Sequence, residues 1–475
     1  LDEAEVNMSD EAKSTSREEP FSRRRFLECT LCAAAVSAVP SAVARGDEPP
    51  ADSAAPSKRV VRAEGSPHSF ADLDPEKVTE TYRARRFAEL SDGQIVDAVA
   101  AIVARPGEAR TSFTLHAPLE LLTRSGLLPL VAPEDRELAR TQMVASAAAY
   151  QAGVRPLGDP PVRSEYRDFA SAGRDLADTF AKADPDGLEA VVLQVARQFG
   201  TASLVQTLTP LLLPTLTAAS HSHIGLWLLL RHGAAGDAGD ASLLRAATRL
   251  LAQDPQGRLA SFGGMALAAG KPSKLTPQQI EQEIFARLAN PPHSSQPPGP
   301  GIRGLMEAAE KGGAVDALFG DFIAQDLDPV QIAAAFRAIL RVSAHGMLQD
   351  DPGQAKFGWS HFFTLPQAAC GLGSLNPSGK LGLATTLVWS TAYRAVLSSR
   401  RLDFQYRPKA VKGSLAEALH GGPEAAAGRF YHADPSELGA MRRLLASEAP
   451  ISTDFAPASE QRRKSSRIPA VDYTC

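Results

Sequence analysis

The chain has 475 residues, 22% of them charged and 44% hydrophobic, with a formal net charge of -4, enough for two average domains or one large helical one with a sizeable core. That balance leaves no broad basic surface, so nucleic acid is excluded as an obvious partner. Four cysteines, two of them in the N-terminal segment discussed next, do not make a disulfide framework, and Cys370 is expected to be a small buried apolar residue.

Near the N-terminus, Ser22-Arg23-Arg24-Arg25-Phe26-Leu27 precedes a short Ala-rich stretch from Cys29 to Val39 and the small residues of Ala42-Val43-Ala44. This is the pattern of a twin-arginine export signal occupying residues 1–44, with cleavage before Arg45. Glu28 stands where a lysine is usual. The expectation is a chain handled by the twin-arginine export machinery, folded before transport, and periplasmic or extracellular. The CxxC spacing of Cys29 and Cys32 would leave with the signal rather than bind metal. Residues 45–74, whose first part is rich in Pro, Ala, Gly and Asp, read as a flexible leader.

From residue 75 to 448 the punctuation is that of one large all-α domain, a multi-helix bundle or helical array. Asp74-Pro75, Asp184-Pro185, Asp254-Pro255, Asp328-Pro329 and Asp434-Pro435 each set a capping acid before a proline suited to a first helical turn. Leu188, Val191, Val192, Val195 and Phe199 form an apolar stripe at helical spacing, and Ile332, Phe336, Ile339 and Leu340 form another. The Pro- and Gly-rich segment 290–304 breaks the pattern as a long loop or a linker between two halves. Residues 449–475 form a polar tail.

No Asp, Glu, Lys or Arg occurs between Arg197 and Arg231, or between Lys356 and Lys380. Such gaps mark buried helices or a membrane span. Pro210, Pro214, His221 and His223 in the first gap argue for burial, so no transmembrane span is expected in the mature chain. Histidine in these stretches is then notable, because a buried imidazole without partners costs about 1–3 kcal/mol. His116, His221, His223 and His361 are the candidates, with Glu120 placed to orient His116 and Thr364 beside His361. His116 precedes Pro118 and is expected near a helix start. His221 and His223 are separated by about 200° on a helix, so only one of them faces any given point. His345 and His232 suit helix C-termini, and His68, His293, His420 and His432 fall in polar surroundings. Trp227, Trp359 and Phe362 are candidates to line an aromatic pocket, although aromatic residues at this spacing also serve as core.

The sequence contains no HExxH, GxSxG or EF-hand pattern, and Gly373 to Lys380 misses the phosphate-loop spacing by one residue. A metal bound by His116, Glu120, His223 and His361 is conceivable in a bundle core. Three stretches, Phe113 to Leu122, Ala218 to Gly225 and Gly358 to Thr364, together with Ala149-Tyr150-Gln151, resemble the questin oxidase-like family of helical proteins. The resemblance implies oxidation, of Baeyer–Villiger type with NADPH, of a polycyclic aromatic ketone or quinone. The chain departs from that family at Leu226-Trp227-Leu228, which lacks the acidic residue found there. An exported protein also meets no NADPH pool, so a different reductant or dioxygen alone is the alternative. Two functions follow: an oxidoreductase acting on a small hydrophobic molecule, or a non-catalytic envelope protein binding a ligand or partner in an apolar groove.

Overall fold

The computed structural model describes residues 68–109, 111–215, 221–233, 241–253, 265–266, 268–291, 301–349, 358–373, 379–397 and 401–403. The proposed export signal, most of the leader, the polar tail, Asp254-Pro255, Asp434-Pro435, His293, His420 and His432 lie outside the described residues. Among the described residues there are fourteen α-helices and no sheet, only two isolated bridges joining Gly107 to Pro156 and Pro272 to Asp326. The all-α expectation holds.

The N-terminal half comprises α1 (Val78–Ala84), α2 (Asp92–Val103), α3 (Ser112–Leu127), α4 (Pro133–Gly153), α5 (Phe169–Ala181), α6 (Pro185–Leu212), α7 (His221–Gly233) and α8 (Arg245–Ala252). The rest comprises α9 (Pro277–Ala289), α10 (Gly301–Lys311), α11 (Ala314–Ile323), α12 (Pro329–Gln349), α13 (Gly358–Gly373) and α14 (Gly379–Thr391), with a π-helical turn, Ala392–Leu397, continuing from α14.

Local chemistry sets the helix starts. Asp184 accepts from Gly187 N at 2.9 Å with Pro185 in the first turn, and Asp328 accepts from Gln331 N at 2.8 Å while Gln331 reaches back to Asp328 N. Both are caps of the expected kind. Asp74-Pro75 instead forms a turn closed by Lys77 N on the Asp74 carbonyl, and α1 begins only at Val78. Of the segment read as leader, residues 68–74 pack onto the domain: Phe70 stacks on Phe87 at 4.2 Å, and Gln151 bridges Leu73 N and the Phe70 carbonyl. Two apolar side chains near the end of that segment supply the reason.

Both predicted stripes face the core. Leu188, Val191, Val192 and Val195 of α6 and Phe336, Ile339 and Leu340 of α12 are buried, with Phe199 and Ile332 packed at the margin. Helix α6 kinks at Gly200, whose φ of 83° is a left-handed value that glycine tolerates. The Pro-rich break is shorter than expected, because α10 already begins at Gly301 and its Leu305, Met306 and Ala309 are buried. Segments on either side of the break belong to one body: Arg337 of α12 bonds Glu281 of α9, and Arg341 lies 4.5 Å over the Phe285 ring.

Helix α14 is the centre of the C-terminal half, with Leu381 through Thr391 all buried. A helix buried all round has no charged face, and no Asp, Glu, Lys or Arg occurs between Lys380 and Arg394. Two of its hydroxyls turn back on helix carbonyls, Thr385 on Leu381 at 3.2 Å and Thr386 on Gly382 at 2.8 Å. Just beyond it Arg394, 1% exposed, donates to the terminal carbonyls of α9 at Leu288 and Ala289, a partner set that suits a buried cation. Among the described residues no helix is long and apolar enough to cross a membrane. The first charge-free run is divided between the end of α6 and α7. Cys370 is buried as expected but disulfide-bonded, where a reduced thiol was anticipated.

Candidate functional site

Three histidines far apart in sequence meet where three helices begin. His116 is the fifth residue of α3, His221 the first of α7, and His361 the fourth of α13. The helices run side by side in one sense. His116 meets His221 while Leu119 packs on Gly225, and His221 meets His361 while Trp227 packs on Gly371. Gly225 therefore admits a neighbouring helix, since a Cβ there would lie 3.0 Å from Leu119 Cδ2 and 3.1 Å from Leu244 Cδ2. The glycine reads as a helix contact rather than a ligand contact.

The start of α3 differs from the expectation that His116 begins a helix. Thr111 is the cap, exchanging bonds with Thr114, and Pro118 lies inside the helix. A proline this near the N-terminus removes one helical bond and is tolerated. The consequence is that His116 projects from the first turns of a formed helix.

His116 Nε2 and His221 Nε2 are 2.9 Å apart, their rings nearly perpendicular at 85°. The His361 ring centroid lies 4.9 Å from that of His221. One ring nitrogen from each of the three falls within 4.8 Å of the other two. His221 and His361 are buried and His116 is partly exposed, so solvent reaches the group on the His116 side. His361 Nδ1 is buried without a hydrogen-bond partner. Burial, and secondarily the neighbouring His221, push the His361 imidazole down to about 3, which leaves it neutral at pH 7. The positive end of each helix dipole favours the same neutral form.

His223 points elsewhere, as helical geometry requires. It lies against the backbone of Leu212 and Leu213, which favours the protonated form, yet neither ring nitrogen makes a hydrogen bond of good geometry, and burial dominates in pushing it down to about 4. It is a core residue rather than a member of the group. Glu120 is likewise outside the group. Its Oε1 accepts from Arg124 Nε at 2.7 Å in a fully buried pair, and Arg124 also bonds Gln142. A buried guanidinium thus partners the carboxylate expected to orient His116. The four-residue metal set of His116, Glu120, His223 and His361 is thus corrected to His116, His221 and His361.

Thr364 is buried one turn beyond His361. Trp227 packs edge-on against the backbone of α13 at Gly371, about 15 Å along that helix from His361. Phe362 is fully buried and stacks on Tyr393 at 4.8 Å. Both aromatics pack within the core. The side chain of Trp359 lies outside the described residues, as does that of His232. His345 pairs with Gln349 in the last turn of α12, and His68, expected to be solvated, is half-buried with Nδ1 on the Arg85 carbonyl. The residue missed by the sequence reading is Trp389, whose ring lies 6.5 Å from that of His361 and whose Nε1 donates to the His361 carbonyl at 3.1 Å. Its position on the charge-free stretch of α14 was the available signal.

Three converging imidazoles can coordinate a metal ion or pass a proton. No family model, curated protein or solved structure matches the chain. The resemblance stated above therefore rests on its short motifs alone.

Proposed function

We propose that the chain is an exported helical oxidoreductase acting on a hydrophobic or aromatic small molecule, with the His116–His221–His361 group as its reactive centre. The single observation behind this reading is the convergence of three imidazoles from separate helices in a largely buried site. Polar groups are costly there unless they serve one another or a ligand. Trp389, fully buried, backs the group with its ring edge-on to that of His361.

His361 is neutral at pH 7 and offers a lone pair to a substrate hydroxyl. In the 2.9 Å pair of His116 and His221 one ring must donate and the other accept. A proton taken from a substrate hydroxyl inside the site passes through His221 to His116, which exchanges with solvent. Dioxygen is the electron acceptor in this reading: the substrate loses two electrons and two protons, and hydrogen peroxide forms.

The test is oxygen uptake and peroxide release by the mature chain with a panel of hydroquinones and polycyclic phenols. Turnover abolished in His361→Ala and His221→Ala but retained in His345→Ala supports the reading. Binding of such compounds with no oxygen uptake would assign the chain to the ligand-binding class instead. Export is tested separately: Arg23→Lys with Arg24→Lys is expected to retain the product in the cytoplasm, and normal export of that double variant would contradict the twin-arginine assignment.

A further inference from the structure

We propose that His116, His221 and His361 form a three-imidazole centre for a divalent first-row transition metal, whose open coordination position takes an anionic oxygen such as hydroxide, phenolate or enolate. The proposal rests on the reading of these residues as the reactive centre, and in it their nitrogens serve as metal ligands in place of the proton relay.

Donor spacing is the first argument. Metal–imidazole bonds of about 2.0–2.1 Å place neighbouring nitrogens roughly 2.8–3.4 Å apart in facial octahedral or tetrahedral geometry. His116 and His221 are already at 2.9 Å, and all three nitrogens lie within 4.8 Å of one another. Small side-chain rotations complete the set without moving a helix.

Lone-pair bookkeeping is the second. A pair of neutral imidazoles shares one hydrogen bond, and a third acceptor nitrogen brought to the same point gains nothing from it. His361 Nδ1 is buried and unpartnered, and neither ring nitrogen of His361 bonds the other two histidines in the way His116 and His221 bond each other. A cation satisfies three lone pairs at once, and three nitrogen donors without a carboxylate select zinc, copper, cobalt or nickel over magnesium or calcium.

Charge is the third. Among the described residues the group contains no carboxylate, so a bound dication keeps its full charge in a site where low dielectric strengthens electrostatic interaction. Three helix N-termini add partial positive charge on the same side. Such a centre lowers the pKa of a bound water or phenol and holds the anion. The partly exposed His116 side is where a ligand enters.

The experiment uses the full mature chain, freed of tag and metal by chelator dialysis, and titrated with Co²⁺ and Zn²⁺. The expected result is one equivalent bound, with visible Co²⁺ absorption that shifts on adding azide or phenol. Each of His116→Ala, His221→Ala and His361→Ala should weaken binding at least tenfold, whereas His345→Ala should not. Circular dichroism identifies any variant that fails to fold, and His→Gln at the same positions then replaces it. Binding that is absent, or unchanged when all three histidines are replaced in a folded chain, overturns the proposal. Oxidation that persists in the chelated protein also overturns it while leaving the reactive-centre reading intact. Metal binding without oxidation does the reverse.

Discussion

Trp389 donates its indole N–H to the carbonyl of His361 at 3.1 Å, which ties the central helix α14 to the first turn of α13. Both residues are buried, and helices α13 and α14 form an antiparallel hairpin in which Gly373 meets Gly379 and Ala369 meets Gly382. The bond fixes the backbone from which His361 projects. Trp389→Phe keeps most of the ring and deletes the donor. We expect a loss of about 1–3 kcal/mol in urea unfolding, and a weaker Co²⁺ complex because one ligand is less well held. Unchanged Co²⁺ affinity would show that the indole is packing only.

Gly371→Ala addresses the other end of the same helix. A Cβ at Gly371 would come within 2.4 Å of the Trp227 ring, and overpacking of this kind costs about 1–3 kcal/mol. In a Trp227→Leu background that cost should largely vanish, since the obstructing ring is gone. Chemical denaturation of the two single variants and the double variant forms the cycle. Additive effects would mean that the glycine is not there to admit the tryptophan.

The legible parts of this chain were those with local causes. Asp184-Pro185 and Asp328-Pro329 stated their helix starts, and the α6 and α12 stripes stated their buried faces. His221 and His223 could be separated by helical angle alone, and the structure divides them as that angle demands. Glu120 has a second partner that the sequence reading did not name, Arg124, four residues further along the same helix. In sequence an acid beside both a histidine and an arginine favours neither. Trp389 was invisible as a neighbour of His361 because their contact depends on how α14 folds back on α13, which no local pattern encodes. Choosing His221 over His223 likewise required knowing which face of α7 meets α3 and α13.

Glu120 and Arg124 give a prediction that separates structural from site roles. Both are 2% exposed, and removing one member of a buried pair leaves an uncompensated charge that costs about 3–5 kcal/mol. Glu120→Gln should therefore destabilise strongly. Glu120→Leu combined with Arg124→Met removes both charges at similar volume and should recover most of that loss. Thermal denaturation of the single and double variants reads the difference. A double variant as unstable as Glu120→Gln would indicate that the carboxylate serves another buried group, His116 being the nearest candidate on that helix.

His223 sets a pH dependence of stability with a defined sign. Its imidazole is pushed down from 6.5 to about 4 in the folded chain, chiefly by burial, so below about pH 6.5 the unfolded chain binds a proton that the folded chain refuses. The unfolded state gains from that proton and the fold loses. Stability attributable to His223 is thus fully present above pH 6.5 and declines as the pH falls toward 4. The total is about 3 kcal/mol over that window. His361 is pushed down too and adds to the slope, so the His223 share is isolated by difference. His223→Leu keeps an apolar side chain of similar size in a site where neither ring nitrogen makes a hydrogen bond. Urea midpoints at pH 7.5 and pH 5 should therefore differ less in His223→Leu than in the parent chain. An equal or larger drop in the variant would show that His223 gains a partner on protonation and does not oppose the charge.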